Sequence, residues 1–188
     1  MTGWLAALRG RHLQEEKRRE KHAPNLVTTP GPGSTTRCEN DVSTDTRRPV
    51  IARVLEACLY APDIESAERF YADVLGLERY SAVEGRHVFF RCGAGMFLLF
   101  NPERTSREPS RVNESLVPAH GATGPGHVAF AIAETDIPAW RARLERARVA
   151  VESEVRWPRG GTSLYFRDPA GNSVELASPR LWGLADDA

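Results

Sequence analysis

Apolar and polar positions fall into two similar series along the chain, each a strand pattern, a helix pattern and three further strand patterns. The first series opens with Val54-Leu-Glu-Ala-Cys-Leu-Tyr60, which reads as a strand. Ala61-Pro62-Asp63 breaks it, and Asp63 stands where a helix cap belongs. Ile64, Ala67, Phe70, Tyr71, Val74 and Leu75 then recur at helical spacing, and Gly76 suits the helix end. Strands are expected at 78–82, 87–91 and 96–100, followed by a long polar connection over 102–126. The second series begins with a strand at 126–133. A helix capped by Thr135 or Asp136 follows, with Trp140, Leu144 and Ala147 as its apolar stripe. Strands return at 149–155, 163–167 and 173–177, the last two joined by a turn at Asp168-Pro169-Ala170-Gly171.

The halves overlay. Leu55-Glu-Ala-Cys-Leu59 falls on Gly126-His-Val-Ala-Phe130, and Phe90-Arg-Cys-Gly-Ala-Gly95 on Phe166-Arg-Asp-Pro-Ala-Gly171. The expected fold class is therefore α+β, with two tandem βαβββ modules. Module one spans about 50–118 and module two about 124–180, within a domain of 50–182. Residues 1–49 are charged at first and then rich in Pro, Gly, Ser and Thr. They hold too little apolar surface to offset the entropy of ordering, and are expected to be a flexible extension.

Composition narrows the function. Across 188 residues, 25 basic and 25 acidic side chains cancel, which argues against nucleic acid or an anionic membrane as partner. No apolar run approaches the roughly 20 residues of a spanning helix. Lys17 and Lys21 are the only lysines, so residues 50–182 offer neither a Schiff-base lysine nor a phosphate-loop lysine. Cys38, Cys58 and Cys92 suit neither a zinc knuckle nor a disulfide framework, and reduced thiols in a cytoplasmic protein are expected.

Strand alternation sorts the chemistry. Glu56, Cys58 and Tyr60 share one face of the first strand; His127, Ala129 and Ala131 share one face of its counterpart; Ser173 and Glu175 share one face of the last. Glutamates on inward-directed faces are costly unless paired or bound to metal. Two carboxylates and an imidazole can hold a divalent cation with positions left open for a substrate. Glu56, His127 and Glu175 are therefore expected to face a concave site, as a set that could hold such a cation. Cys58, Tyr60, Ala129 and Ser173 are expected to line the pocket beside them, with Arg159 in a loop placed to meet a substrate anion. The face of Tyr165 depends on register, and His120 reads as a loop residue.

Glu56-Ala-Cys-Leu-Tyr-Ala-Pro-Asp63, Phe70-Tyr-Ala-Asp-Val-Leu-Gly-Leu77, Gly126-His-Val-Ala-Phe130 and Tyr165-Phe-Arg-Asp-Pro-Ala-Gly-Asn-Ser-Val-Glu-Leu176 resemble the vicinal-oxygen-chelate superfamily. That group includes glyoxalase I, fosfomycin-modifying enzymes, extradiol dioxygenases and bleomycin-binding proteins. The resemblance implies that the modules curl into an incomplete mixed β-barrel holding one divalent ion, with Mn, Mg, Zn, Ni and Fe undistinguished. It implies Glu56, His127 and Glu175 as ligands. A fourth ligand of glyoxalase I is replaced by Leu99, with Phe97 its same-face neighbour, so both are expected to line the pocket. The implied function is a metal-dependent enzyme acting on a small molecule chelated through vicinal oxygens, of lyase, isomerase or thiol-transferase type. The alternatives are a metal-free ligand-sequestering protein and an extradiol-type dioxygenase. A homodimer is expected, its modules pairing within a chain or by exchange.

Overall fold

The computed structural model describes residues 48–186. The extension expected over 1–49 lies, apart from its last two residues, outside that range.

Strand β1 (Glu56–Tyr60) ends at the Pro62 break, and the Asp63 carboxylate accepts from the Ser66 N–H at 2.9 Å. That cap starts helix α1 (Ile64–Arg69), which runs on as a π-helical turn over Phe70–Val74. Gly76, at φ +76°, takes the left-handed geometry that closes a helix. Strands β2 (Glu78–Val83), β3 (His87–Cys92) and β4 (Gly95–Phe100) form a meander, and β4 returns parallel beside β1 to give the order β1-β4-β3-β2.

The connection after β4 is more ordered than its polarity suggests. Asn101 caps a short helix α2 (Pro102–Arg107), accepting from the N–H groups of Glu103 and Arg104, with proline in its first turn. Strands β5 (Ser110–Val112) and β6 (Ser115–Val117) make a hairpin whose turn uses Asn113 at φ 54°. Arg86 fastens this segment by donating to the Glu108 carbonyl at 2.6 Å and to Ser110 Oγ at 2.8 Å.

The second module repeats the plan. Strand β7 (His127–Ala131) leads to helix α3 (Ile137–Arg146), then β8 (Ser153–Arg156), β9 (Thr162–Arg167) and β10 (Ser173–Ala177), in the order β7-β10-β9-β8. Neither Thr135 nor Asp136 caps α3 with its side chain; a 3-10 turn over Glu134–Asp136 leads into it instead. The strand expected from Val149 starts only at Ser153, after Arg148 takes φ 58°. Among the described residues, two mixed sheets with few helices and no closed barrel make this the α+β architecture of tandem modules that the repeat predicts.

Registers confirm the duplication. Glu56, Cys58 and Tyr60 pair with Met96, Leu98 and Phe100; His127, Ala129 and Ala131 pair with Ser173, Glu175 and Ala177.

One core serves both modules. Tyr71, fully buried, packs against Phe97 at 4.7 Å between ring centroids and reaches Phe130 at 6.3 Å. Its hydroxyl donates to Asp168 Oδ2 at 2.9 Å, and burial with the Asp168 carboxylate pushes the phenol far above its ordinary value. Asp168 also accepts from the N–H groups of Ala170 and Asn172 and from Asn172 Nδ2. Asn172 in turn donates to the Tyr60 carbonyl at 3.1 Å and accepts from the Gly126 N–H at 2.7 Å. What reads in the sequence as a hairpin turn is therefore a clamp from β9–β10 to β1, β7 and the π turn. Arg143 adds a tie by donating to the Val74 carbonyl at 2.6 Å.

Gly126 sits inside this clamp. A Cβ there would lie 2.6 Å from Leu59 Cδ2 and 3.3 Å from Asn172 Oδ1. Gly126→Ala should cost about 1–3 kcal/mol in urea denaturation, and the double variant with Leu59→Ala should cost less than the sum of the two single losses.

Candidate functional site

Alternation divides each sheet into a core face and an open face. In module two, Val128, Phe130, Leu164, Phe166, Val174 and Leu176 turn to the core. The other face gathers His127, Ala129, Ser163, Tyr165, Ser173 and Glu175. His127 and Ala129 are exposed, Ser173 is half-buried, and Glu175 is buried.

His127 is held in a defined orientation. Its Nδ1 lies 3.1 Å from the Ser173 carbonyl oxygen, which only accepts, so Nδ1 carries the proton and donates. In the neutral ring Nε2 then keeps its lone pair, and it points at Glu175 Oε2 3.4 Å away. A lone pair facing a carboxylate oxygen repels unless a proton or a cation lies between them. Two donors bound to one cation at about 2.0–2.2 Å stand roughly 3 Å apart. The 3.4 Å spacing suits a proton or a divalent ion shared by the two side chains, and the Ser173 carbonyl fixes the ring orientation that an imidazole ligand would need.

Tyr165 pairs directly across the ladder with Glu175 and stacks near His127, ring centroids 6.3 Å apart. Burial raises its hydroxyl to about 12, with further lift from the Glu175 carboxylate beside it. It therefore stays protonated and donating throughout the neutral range. Sequence reasoning left its face open. The signal was in the strand itself: Leu164 and Phe166 are core residues, so Tyr165 must face the other way. Trp157 Nε1 donates to Ser163 Oγ at 2.8 Å and edges the same face. Because the folded value of Tyr165 is raised, its contribution to stability is present below about 10 and lost as pH rises through about 12. Absorbance titration of phenolate should lose that late step in Tyr165→Phe.

Glu56 does not join this pair within one chain. It is exposed at the start of β1, and among the described residues no three His, Cys, Asp or Glu side chains converge to hold a metal. Cys58 is exposed on the same face, and Tyr60, half-buried, hydrogen-bonds His120 Nδ1 at 2.9 Å. His120 is thus tied to the first strand rather than left as a plain loop residue. Arg159 is exposed in the turn between β8 and β9.

Phe97 and Leu99 belong to the core, 1% and 0% exposed, and do not line the open face. The parallel ladder shows why. Leu98 pairs with Cys58 as Glu175 pairs with Ala129, so Leu98 is the counterpart of Glu175. A one-residue slip in overlaying the halves sends every side chain of the strand to the wrong face.

No helix among the described residues is long and apolar enough to cross a membrane. Solved structures share the fold. A lactoylglutathione lyase from Agrobacterium tumefaciens is 44% identical, with a TM-score of 0.66 over 71% of this chain and 98% of that one. A virulence protein from Salmonella typhimurium is 25% identical, with a TM-score of 0.53 over 69% and 98%. A glyoxalase/bleomycin resistance protein/dioxygenase from Nocardioides is 22% identical, with a TM-score of 0.52 over 72% and 87%, a likeness of fold. Residues 51–176, which hold both modules from before β1 to within β10, match the Glyoxalase/Bleomycin resistance protein/Dioxygenase superfamily. With its duplicated modules, its shared register and this match, the chain belongs to that superfamily.

Proposed function

We propose that the protein is a metal-dependent enzyme acting on a small substrate that offers two adjacent oxygens. The observation that carries this reading is the oriented His127 Nε2 aimed at the buried Glu175 carboxylate. His127 and Glu175 would hold the ion from one chain. Glu56, on an exposed face of module one, would complete the set from a second copy, which makes the working form a homodimer with exchanged modules. A divalent ion bound there supplies Lewis-acid polarisation of the chelated oxygens.

The chain's own residues set the rest. Ser173 fixes the imidazole through its carbonyl, and Tyr165 keeps a protonated hydroxyl beside Glu175. Leu98 stands at the module-one counterpart of Glu175, so that position supplies no carboxylate base. The 44% identical lactoylglutathione lyase supports lyase or isomerase chemistry, while Leu98 argues for a substrate handled differently from that of glyoxalase I.

The test is calorimetry of full-length, EDTA-treated protein with Mn²⁺, alongside sedimentation. Binding of one ion per chain by a dimer is the expected result; no binding overturns the reading. A metal-free sequestering protein would give no Mn²⁺ heat at all.

A further inference from the structure

We infer that the substrate carries an aromatic ring, which lies on module one while its paired oxygens face His127 and Glu175 on module two. The inference rests on the metal reading above and adds the chemical class of substrate.

The two open faces occupy equivalent places in the duplication and carry opposite chemistry. Where module two has Glu175, Tyr165, Ser163 and Ala177, module one has Leu98, Phe89, His87 and Phe100. The module-one rings form a continuous platform. His87 stacks on Phe89 with centroids 4.3 Å apart and planes at 11°; Phe89 meets Phe100 edge-on at 5.5 Å. Phe100 meets His120 edge-on at 4.5 Å, and His120 is held by the Tyr60 hydroxyl. All these rings are half-buried, so they still offer surface, and none belongs to the shared core.

Glu56 ties this platform to the metal. It shares its strand face with Cys58 and Tyr60, whose ladder partners are Leu98 and Phe100. An arrangement that brings Glu56 to an ion on His127 and Glu175 turns the same strand face toward that ion, with Leu98 and Phe89 at the near end of the platform. One wall is then polar and the other aromatic and aliphatic. A ligand with two oxygens at one end and an aryl group at the other satisfies both, because offset and edge-on ring contacts add to the burial of apolar area.

The probes are lactate and mandelate, which share one pair of oxygens and differ in methyl against phenyl. With Mn²⁺-loaded full-length protein, mandelate should bind at least tenfold more tightly than lactate by calorimetry. Phe89→Ala should bring that ratio toward one by weakening mandelate, with Mn²⁺ still bound, and Phe100→Leu should lower it in the same direction. Equal affinities on a protein that binds Mn²⁺ overturn the aryl assignment and leave the metal reading standing. A ratio above ten that survives both substitutions places the ring elsewhere and also overturns it. Failure to bind Mn²⁺ removes the metal reading and this inference with it.

Discussion

Glu175→Gln should lower Mn²⁺ affinity at least about a hundredfold, and catalytic turnover with it, without weakening the fold. Loss of an oriented outer partner alone costs about 10–100-fold in such sites, and a direct donor should cost more. Glutamine keeps the shape, but it withdraws the negative charge that His127 Nε2 faces at 3.4 Å. Glu175 is buried, so neutralising it removes a desolvation cost. The melting temperature of the metal-free protein should therefore hold or rise. Calorimetry with Mn²⁺ and thermal melts on the same samples check both halves. Undiminished Mn²⁺ binding in Glu175→Gln would falsify the assignment of this side chain as a ligand.

Asp168→Ala should be among the most destabilising changes of a polar residue in the domain. It strips the acceptor from the Tyr71 hydroxyl, from two backbone N–H groups and from Asn172 Nδ2. Each donor left buried without a partner costs about 1–3 kcal/mol. Partial relaxation brings the expected loss to about 3–5 kcal/mol, against a total stability of about 5–15 kcal/mol. Tyr71→Phe, which removes one bond, should cost about 1–2 kcal/mol. The same change made on top of Asp168→Ala should cost much less, because the pair shares one network. Urea denaturation of the four proteins measures that cycle. Simple additivity would show that the clamp does not act as a unit.

Much of this was legible in the sequence because local rules and global fold agree. Asp63, Gly76 and the apolar spacing between them mark α1 without reference to anything distant, and Asp63 caps as expected. The duplication was visible because Phe90–Gly95 and Phe166–Gly171 keep the same residues at corresponding turns. Three things were not legible, each for a non-local reason. The counterpart of Glu175 depends on which residue of β4 pairs with Cys58, and a pattern of Met-Phe-Leu-Leu-Phe is apolar on both faces, so alternation cannot set its phase. The clamp function of Asp168 and Asn172 depends on partners 97 and 112 residues away. The order between β4 and β7 depends on Arg86 reaching forward 22 and 24 residues to a segment whose own composition is that of a loop.

A chain that carries only two of the three proposed donors in one place has a genetic consequence. A variant lacking Glu56 and another lacking Glu175 should each be inert alone. Mixed subunits should pair an intact first half with an intact second half at one of their two centres, so that two defective alleles rescue each other in the same cell.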